Sequence, residues 1–243
     1  MILLRSIFFV IWFYGAMTFW GLLYMPAVLM GHDRYIWLSM RGWGKATIWG
    51  LRRICNVRIN IEGSEHLPTG PALIASKHQA ALDTVLPAQF VSEPVFVVKR
   101  ELIDTPIFGF YMKRGMIPVD RDAHAKALKD MLRAARAAIA KGRQIVIYPE
   151  GTRQEFDAAP DYKPGIAAMY RDLNLPVTPI ALNTGLCWPP NGILRKPGTV
   201  TLKILPAIPA GLSREDFMRE LESRIESECQ ALLPAQLRRS GGP

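Results

Sequence analysis

Between Arg5 and His32 the chain carries no acidic or basic side chain, and Ile7 to Met30 is almost wholly apolar. No other stretch restricts the fold so strongly, because about twenty such residues suffice to span or enter a bilayer. Phe8, Trp12, Phe13, Phe19, Trp20 and Leu23 leave no polar face, which argues against the core helix of a soluble domain. A secretory signal would need a basic n-region, a shorter apolar run and a small-residue cleavage site. Pro26 to Gly31 offers no A-x-A pattern, so a retained membrane anchor is expected, crossing the bilayer or entering one leaflet.

Arg34, Arg41, Lys45, Arg52 and Arg53 follow at once, interleaved with Trp37, Trp43, Ile48, Trp49 and Ile54. That pattern predicts an amphipathic helix lying at the membrane interface. The net charge of +9, from 30 Lys+Arg against 21 Asp+Glu, calls for an anionic partner. Beside an apolar anchor, lipid fits that description better than nucleic acid. The basic excess after the anchor places the bulk of the chain on the cytoplasmic face of the cell membrane. Cys55, Cys187 and Cys229 are odd in number and show no C-x-x-C spacing, so neither disulfides nor a zinc or redox pair is expected.

From Val57 onward short apolar runs alternate with helical patterns. Val57, Ile59 and Ile61 set against Arg58, Asn60 and Glu62 predict a half-buried strand. Ala72–Ser76, Val95–Val98, Met116–Val119, Gln144–Tyr148, Val177–Asn183 and Thr199–Leu205 are further strand candidates. A helix is expected over Ala123–Lys141, with Leu128, Met131, Leu132, Ala135 and Ile139 on one face and Gly142 at its stop. A second is capped by Ser213 and has Phe217, Leu221, Ile225 and Leu232 in line. The alternation predicts an α/β fold, a single mixed sheet flanked by helices, with an N-terminal helical segment in or on the membrane. Residues 1–56 then form the anchor and interfacial helix, 57–235 the α/β domain and 236–243 a disordered tail.

Two constellations stand at expected strand ends, where α/β sheets place their sites. In Ser76-Lys77-His78-Gln79-Ala80-Ala81-Leu82-Asp83, positions five apart would diverge by roughly 140° on a helix. His78 must therefore precede the helix for its ring to reach the Asp83 carboxylate, as in the base-and-orienter half of a triad. Taken alone, the pair reads as readily as a strand-end polar residue satisfied by an aspartate. No serine or cysteine nearby has its own base, so the attacking hydroxyl is expected to come from the substrate. In Tyr148-Pro149-Glu150-Gly151-Thr152-Arg153, Pro149 and Gly151 favour a tight loop that exposes Glu150, Thr152 and Arg153 to an anionic group. An ordinary turn with a surface Glu–Arg pair is the alternative. Lys99 and Arg121 follow two further strands, so four strand ends deliver His, Lys, Arg and Glu.

His78-x-x-x-x-Asp83, Gly115-x-Ile117-Pro118-Val119-Asp120-Arg121, Pro149-Glu150-Gly151-Thr152-Arg153 and Val177-Thr178-Pro179-Ile180 occur in that order. In this the chain resembles the 1-acylglycerol-3-phosphate acyltransferases, over roughly Ala72 to Ile180 and the apolar N-terminus. The resemblance implies that His78 is the general base and Asp83 its orienter. It further implies that Glu150, Gly151, Thr152 and Arg153 bind the acceptor, that Arg121 binds the substrate phosphate, and that Pro179 lies on the acyl-donor side; Lys99, from its place at a strand end, is expected at the phosphate or the developing oxyanion. No metal or cofactor is implied; acyl-CoA or acyl-carrier protein is the co-substrate, and a lysophosphatidate in the membrane is the acceptor. The chain departs from the family pattern at Lys77, often Asn, at Ala80, often Ser or Arg, at Tyr148, usually Phe, and at Gln154, usually Ser. These departures leave open another lysolipid acceptor, such as a lyso-ornithine lipid. A thioester hydrolase using the same pair and a basic membrane-anchored binding protein are the competing readings.

Overall fold

The structure is a computed structural model that describes residues 1–120 and 124–237. The apolar N-terminus is one helix, α1 (Ile2–Leu29), joined by a four-residue turn to α2 (Arg34–Ile54). The two pack antiparallel: the Trp12 indole donates to the Ala46 carbonyl at 2.7 Å and the Trp43 indole to the Phe13 carbonyl at 3.2 Å. Gly42 and Gly50 permit this approach, since a Cβ at either would lie 2.5 Å from a ring atom of Trp20 or Trp12.

α1 is long and apolar enough to cross a membrane, and Ile7, Phe8, Ile11, Phe19, Leu22 and Leu23 are exposed on it. α2 carries most of its cations outward but divides its tryptophans between its two faces. Trp37 and Trp43 are buried in the protein and only Trp49 is exposed, while Arg34, Lys45, Arg52 and Arg53 point outward. The apolar face of α2 is used up in holding α1 to the domain.

Among the described residues the sheet has seven strands in the order β1 (Val57–Glu62), β7 (Gly198–Ile204), β6 (Val177–Leu182), β2 (Ala72–Ser76), β5 (Gln144–Ile147), β3 (Pro94–Lys99), β4 (Ile117–Val119). Every pairing is parallel except β6 with β7. β2, β5 and β6 are buried along their whole length, as continuous apolar runs covered on both faces must be. β1 is an edge strand, and its alternation fades outward: Val57 is buried and Ile61 is 39% exposed.

One face of the sheet carries α1, α2, the short helices α3 (Leu82–Val85) and α4 (Pro87–Phe90), and α5 (Phe108–Gly115). The other carries α6 (His124–Ala140), α7 (Gly165–Leu173) and α8 (Arg214–Ala231). Gly142, in the left-handed conformation, ends α6 with the Arg143 N–H returning to the Ala138 carbonyl. Ser213 caps α8 by accepting the Asp216 N–H at 3.1 Å. Cys229 completes the buried stripe of α8, Leu233 just beyond its end is buried where Leu232 was expected, and Leu128 of α6 faces a cavity instead of the core. Gln236 and Leu237 belong to a last turn; the rest of the expected tail lies outside the described residues.

Candidate active site

β2, β5, β3 and β4 run parallel, so their C-terminal ends form one edge of the sheet. His78 leaves β2, Lys99 ends β3 and Pro149–Arg153 follow β5. Arg121, expected after β4, lies outside the described residues. The last ladder bond of β2 runs from the Lys77 N–H to the Ile180 carbonyl, and α3 does not begin until Leu82. His78 therefore lies before the helix, as the spacing required.

Its Nδ1 lies 3.1 Å from Asp83 Oδ2. That oxygen also accepts the backbone N–H groups of Gln79 at 2.6 Å and Ala80 at 2.7 Å, and Oδ1 accepts the Thr184 hydroxyl at 2.5 Å. Asp83 is fully buried. A carboxylate surrounded by donors is held as an acceptor, so Nδ1 carries its hydrogen toward Asp83 and Nε2 is the nitrogen left without one. The ring stacks on Tyr148 with centroids 4.2 Å apart, and the Tyr148 hydroxyl donates to the Asp83 carbonyl at 2.9 Å. Burial, reinforced by the Asp83 and Glu150 carboxylates, holds the Tyr148 phenol well above its usual pKa, so it remains a donor.

Glu150 corrects the expectation of an exposed acceptor ligand. The turn forms as foreseen, with Gly151 at positive φ and its N–H on the Tyr148 carbonyl. It nonetheless directs Glu150 inward, to 0% exposure. There Glu150 Oε1 meets Lys77 Nζ at 3.1 Å and the His78 N–H at 3.5 Å, and Lys77 reaches Glu226 of α8 at 2.7 Å. Tyr162 donates to the same Glu226 oxygen at 2.9 Å. Burial raises the Glu150 pKa against the opposing pull of Lys77. Burial lowers that of Lys77, but attraction to Glu150 and Glu226 outweighs it and leaves the ammonium raised.

Pro179 is likewise away from the site. It sits in the middle of the sheet opposite Ala75, buried, and its carbonyl accepts the Leu205 N–H. β6 is a central strand and Pro179 stops three residues short of its end, which is why it does not reach the cavity wall.

A cavity of about 1370 Å³ opens along the strand ends and is lined by His78, Lys99, Gly151, Thr152 and Arg153. Its wall on the α1–α5 face is apolar, formed by Phe13, Met17, Met40, Trp43, Phe108 and Met112. On the opposite face it is formed by Leu128, Met131, Ile166 and Ala167, with Arg171 and Arg214 alongside. His78 is 14% exposed, on the cavity side. Among the described residues no serine, threonine or cysteine side chain is hydrogen-bonded to its ring. The three cysteines are buried away from the cavity, their thiols raised by burial, Cys187 to about 11.

Lys77, Gln79, Tyr148, Thr184 and Glu226 were not among the expected site residues. Thr184 follows β6 as His78 follows β2, so the strand-end rule could have found it. Glu226 is 149 positions from Lys77 and has no local signal.

Residues 58–183, more than half of the chain, match the model of the family described as Acyltransferase. Over 227 residues the chain is 31% identical to a 1-acyl-sn-glycerol-3-phosphate acyltransferase of Pseudomonas aeruginosa, covering 92% of this chain and 88% of that one. A protein of the same description from Helicobacter pylori is 27% identical over 186 residues, covering 73% and 78%. A crystal structure of the 1-acyl-sn-glycerophosphate acyltransferase of Thermotoga maritima shares the fold, with a TM-score of 0.79, 22% identity, and coverage of 99% of this chain and 100% of that one.

Proposed function

The chain belongs to the acyltransferase family, and from that premise we propose that it moves an acyl chain from a thioester donor to 1-acylglycerol-3-phosphate, giving phosphatidate. The donor is acyl-CoA or acyl-carrier protein. The observation that carries the reading is His78, whose Nδ1 is engaged by a buried carboxylate while its other nitrogen opens onto a cavity with one apolar wall. Nε2 takes the proton of the free sn-2 hydroxyl as that oxygen attacks the thioester carbonyl. The tetrahedral oxyanion then collapses, breaking the C–S bond, and the departing sulfur takes the proton from the imidazolium. General-base assistance of this kind contributes about 10²–10⁴ in rate.

Lys99 and Arg153, with Arg121, hold the acceptor phosphate beside the reacting hydroxyl, and the apolar wall takes an acyl chain. Glu150 acts at one remove, anchoring Lys77 and the His78 backbone. The α1–α2 hairpin sits in one leaflet: the helices run side by side, so carrying the pair across would immerse Lys45 at a cost of about 2.5–3.5 kcal/mol. The exposed cations of α2 meet anionic headgroups on the cytoplasmic side.

The test offers the purified protein one acyl-CoA and a panel of lysolipids, with products identified by mass spectrometry. Lysophosphatidate should be converted most rapidly, and His78→Ala should lose transfer while remaining folded and vesicle-bound. A preference for a lyso-ornithine lipid would reassign the acceptor. Free fatty acid released without any acceptor would identify a hydrolase.

A further inference from the structure

The cavity crosses the edge of the sheet, and its far side has no part in the chemistry assigned so far. There α6 and α7 present Leu128, Met131, Ile166 and Ala167, and Arg171 of α7 and Arg214 of α8 line the same space. The stacked rings of Tyr170 and Phe217, with centroids 3.8 Å apart, pin α7 against the first turn of α8. Arg171 and Arg214 stand on these two helices, and both line the cavity beside their junction. Three nearby carboxylates are engaged elsewhere, Asp172 with Arg136, Asp161 with Lys163, and Asp216 with Ser213 and Arg219, while Glu215 is exposed beside Arg214 in the sequence. Among the described residues neither Arg171 nor Arg214 has an ion-pair partner, and both are exposed.

Two cations beside an apolar trough describe a site for a long amphiphile with a phosphate at its water-facing end. The acceptor does not fit it. Its phosphate is carried on the carbon next to the one that bears the reacting hydroxyl, and it arrives from the membrane, on the α1–α2 face. The donor does fit: its thioester must stand at His78, whereas its phosphates are many bonds away and it arrives from water.

We propose that the α6–α7 side of the cavity is the donor site, in which Arg171 and Arg214 bind the phosphates of the pantetheine-bearing handle. The proposal rests on the acyl-transfer reading above and adds to it the side from which the donor enters. The pantetheine phosphate is common to CoA and carrier protein, so three donors with one acyl chain separate the sources: acyl-CoA, acyl-4′-phosphopantetheine and acyl-N-acetylcysteamine, which has no phosphate.

In Arg171→Gln/Arg214→Gln, the KM for acyl-CoA should rise about tenfold, with KM for lysophosphatidate and for acyl-N-acetylcysteamine unchanged. A loss shared by acyl-4′-phosphopantetheine supports contact with the common phosphate; a loss confined to acyl-CoA supports contact with the nucleotide phosphates. An equal loss on acyl-N-acetylcysteamine, or no loss at all, overturns the site. Binding of free CoA, measured without acceptor, keeps the two readings apart. A wild-type protein that binds CoA more tightly than the variant yet transfers nothing refutes the proposed function alone, whereas equal binding by both refutes the donor site alone.

Discussion

Thr184 and Asp83 are 101 positions apart, yet among the described residues the Thr184 hydroxyl supplies the one donor to Asp83 Oδ1. The other carboxylate oxygen already serves two backbone N–H groups and the His78 ring. Thr184→Val should therefore leave half of a fully buried carboxylate without a partner, at about 1.5–3 kcal/mol of stability. If, as proposed, Asp83 fixes the tautomer and angle of His78 as general base, kcat should fall about tenfold with KM little changed. Thr184→Ser should restore both. Thermal unfolding and initial rates check this, and an unchanged kcat in the valine variant would remove Thr184 from the positioning of His78.

Between elements, the strongest tie at the site is the contact of Lys77 with Glu150 and Glu226, which joins the loop after β2, the turn after β5 and α8. Removing one member of a buried charge cluster strands the others, so Lys77→Met should cost about 3–5 kcal/mol at neutral pH. The pH dependence has a definite sign. Burial already raises the Glu150 pKa, and losing Lys77 removes the attraction that opposes the rise. A carboxyl with a raised folded-state pKa favours folding below its unfolded pKa and loses that benefit as pH climbs through the folded value. The deficit of the variant should thus be largest at neutral pH and shrink on acidification. Adding Glu150→Gln should recover part of it. Denaturant unfolding at several pH values measures both effects, and a pH-independent deficit would contradict this account.

For the whole molecule, the proposed attachment places the outer face of α1 in lipid. Leu22 and Leu23 are each 52% exposed there, so Leu22→Asp/Leu23→Asp should leave the fold intact and release the protein from anionic vesicles in cosedimentation. Activity on acceptor in detergent micelles should survive; undiminished vesicle binding would refute that orientation. The seven strands, the two long domain helices with their cap and stop, and the separation of His78 from α3 were all legible in the sequence. Each follows from local periodicity, glycine, capping residues and helical geometry, which act over a few positions. Three features were decided only by tertiary structure. Trp37 and Trp43 turn inward because α1 packs along α2, Glu150 is buried because Lys77 and α8 meet it from distant parts of the chain, and Pro179 is shut within the sheet because β6 is central. Residue type and spacing set which elements form and what chemistry they can carry; burial and partnership depend on what packs against them, and that is set by contacts remote in sequence.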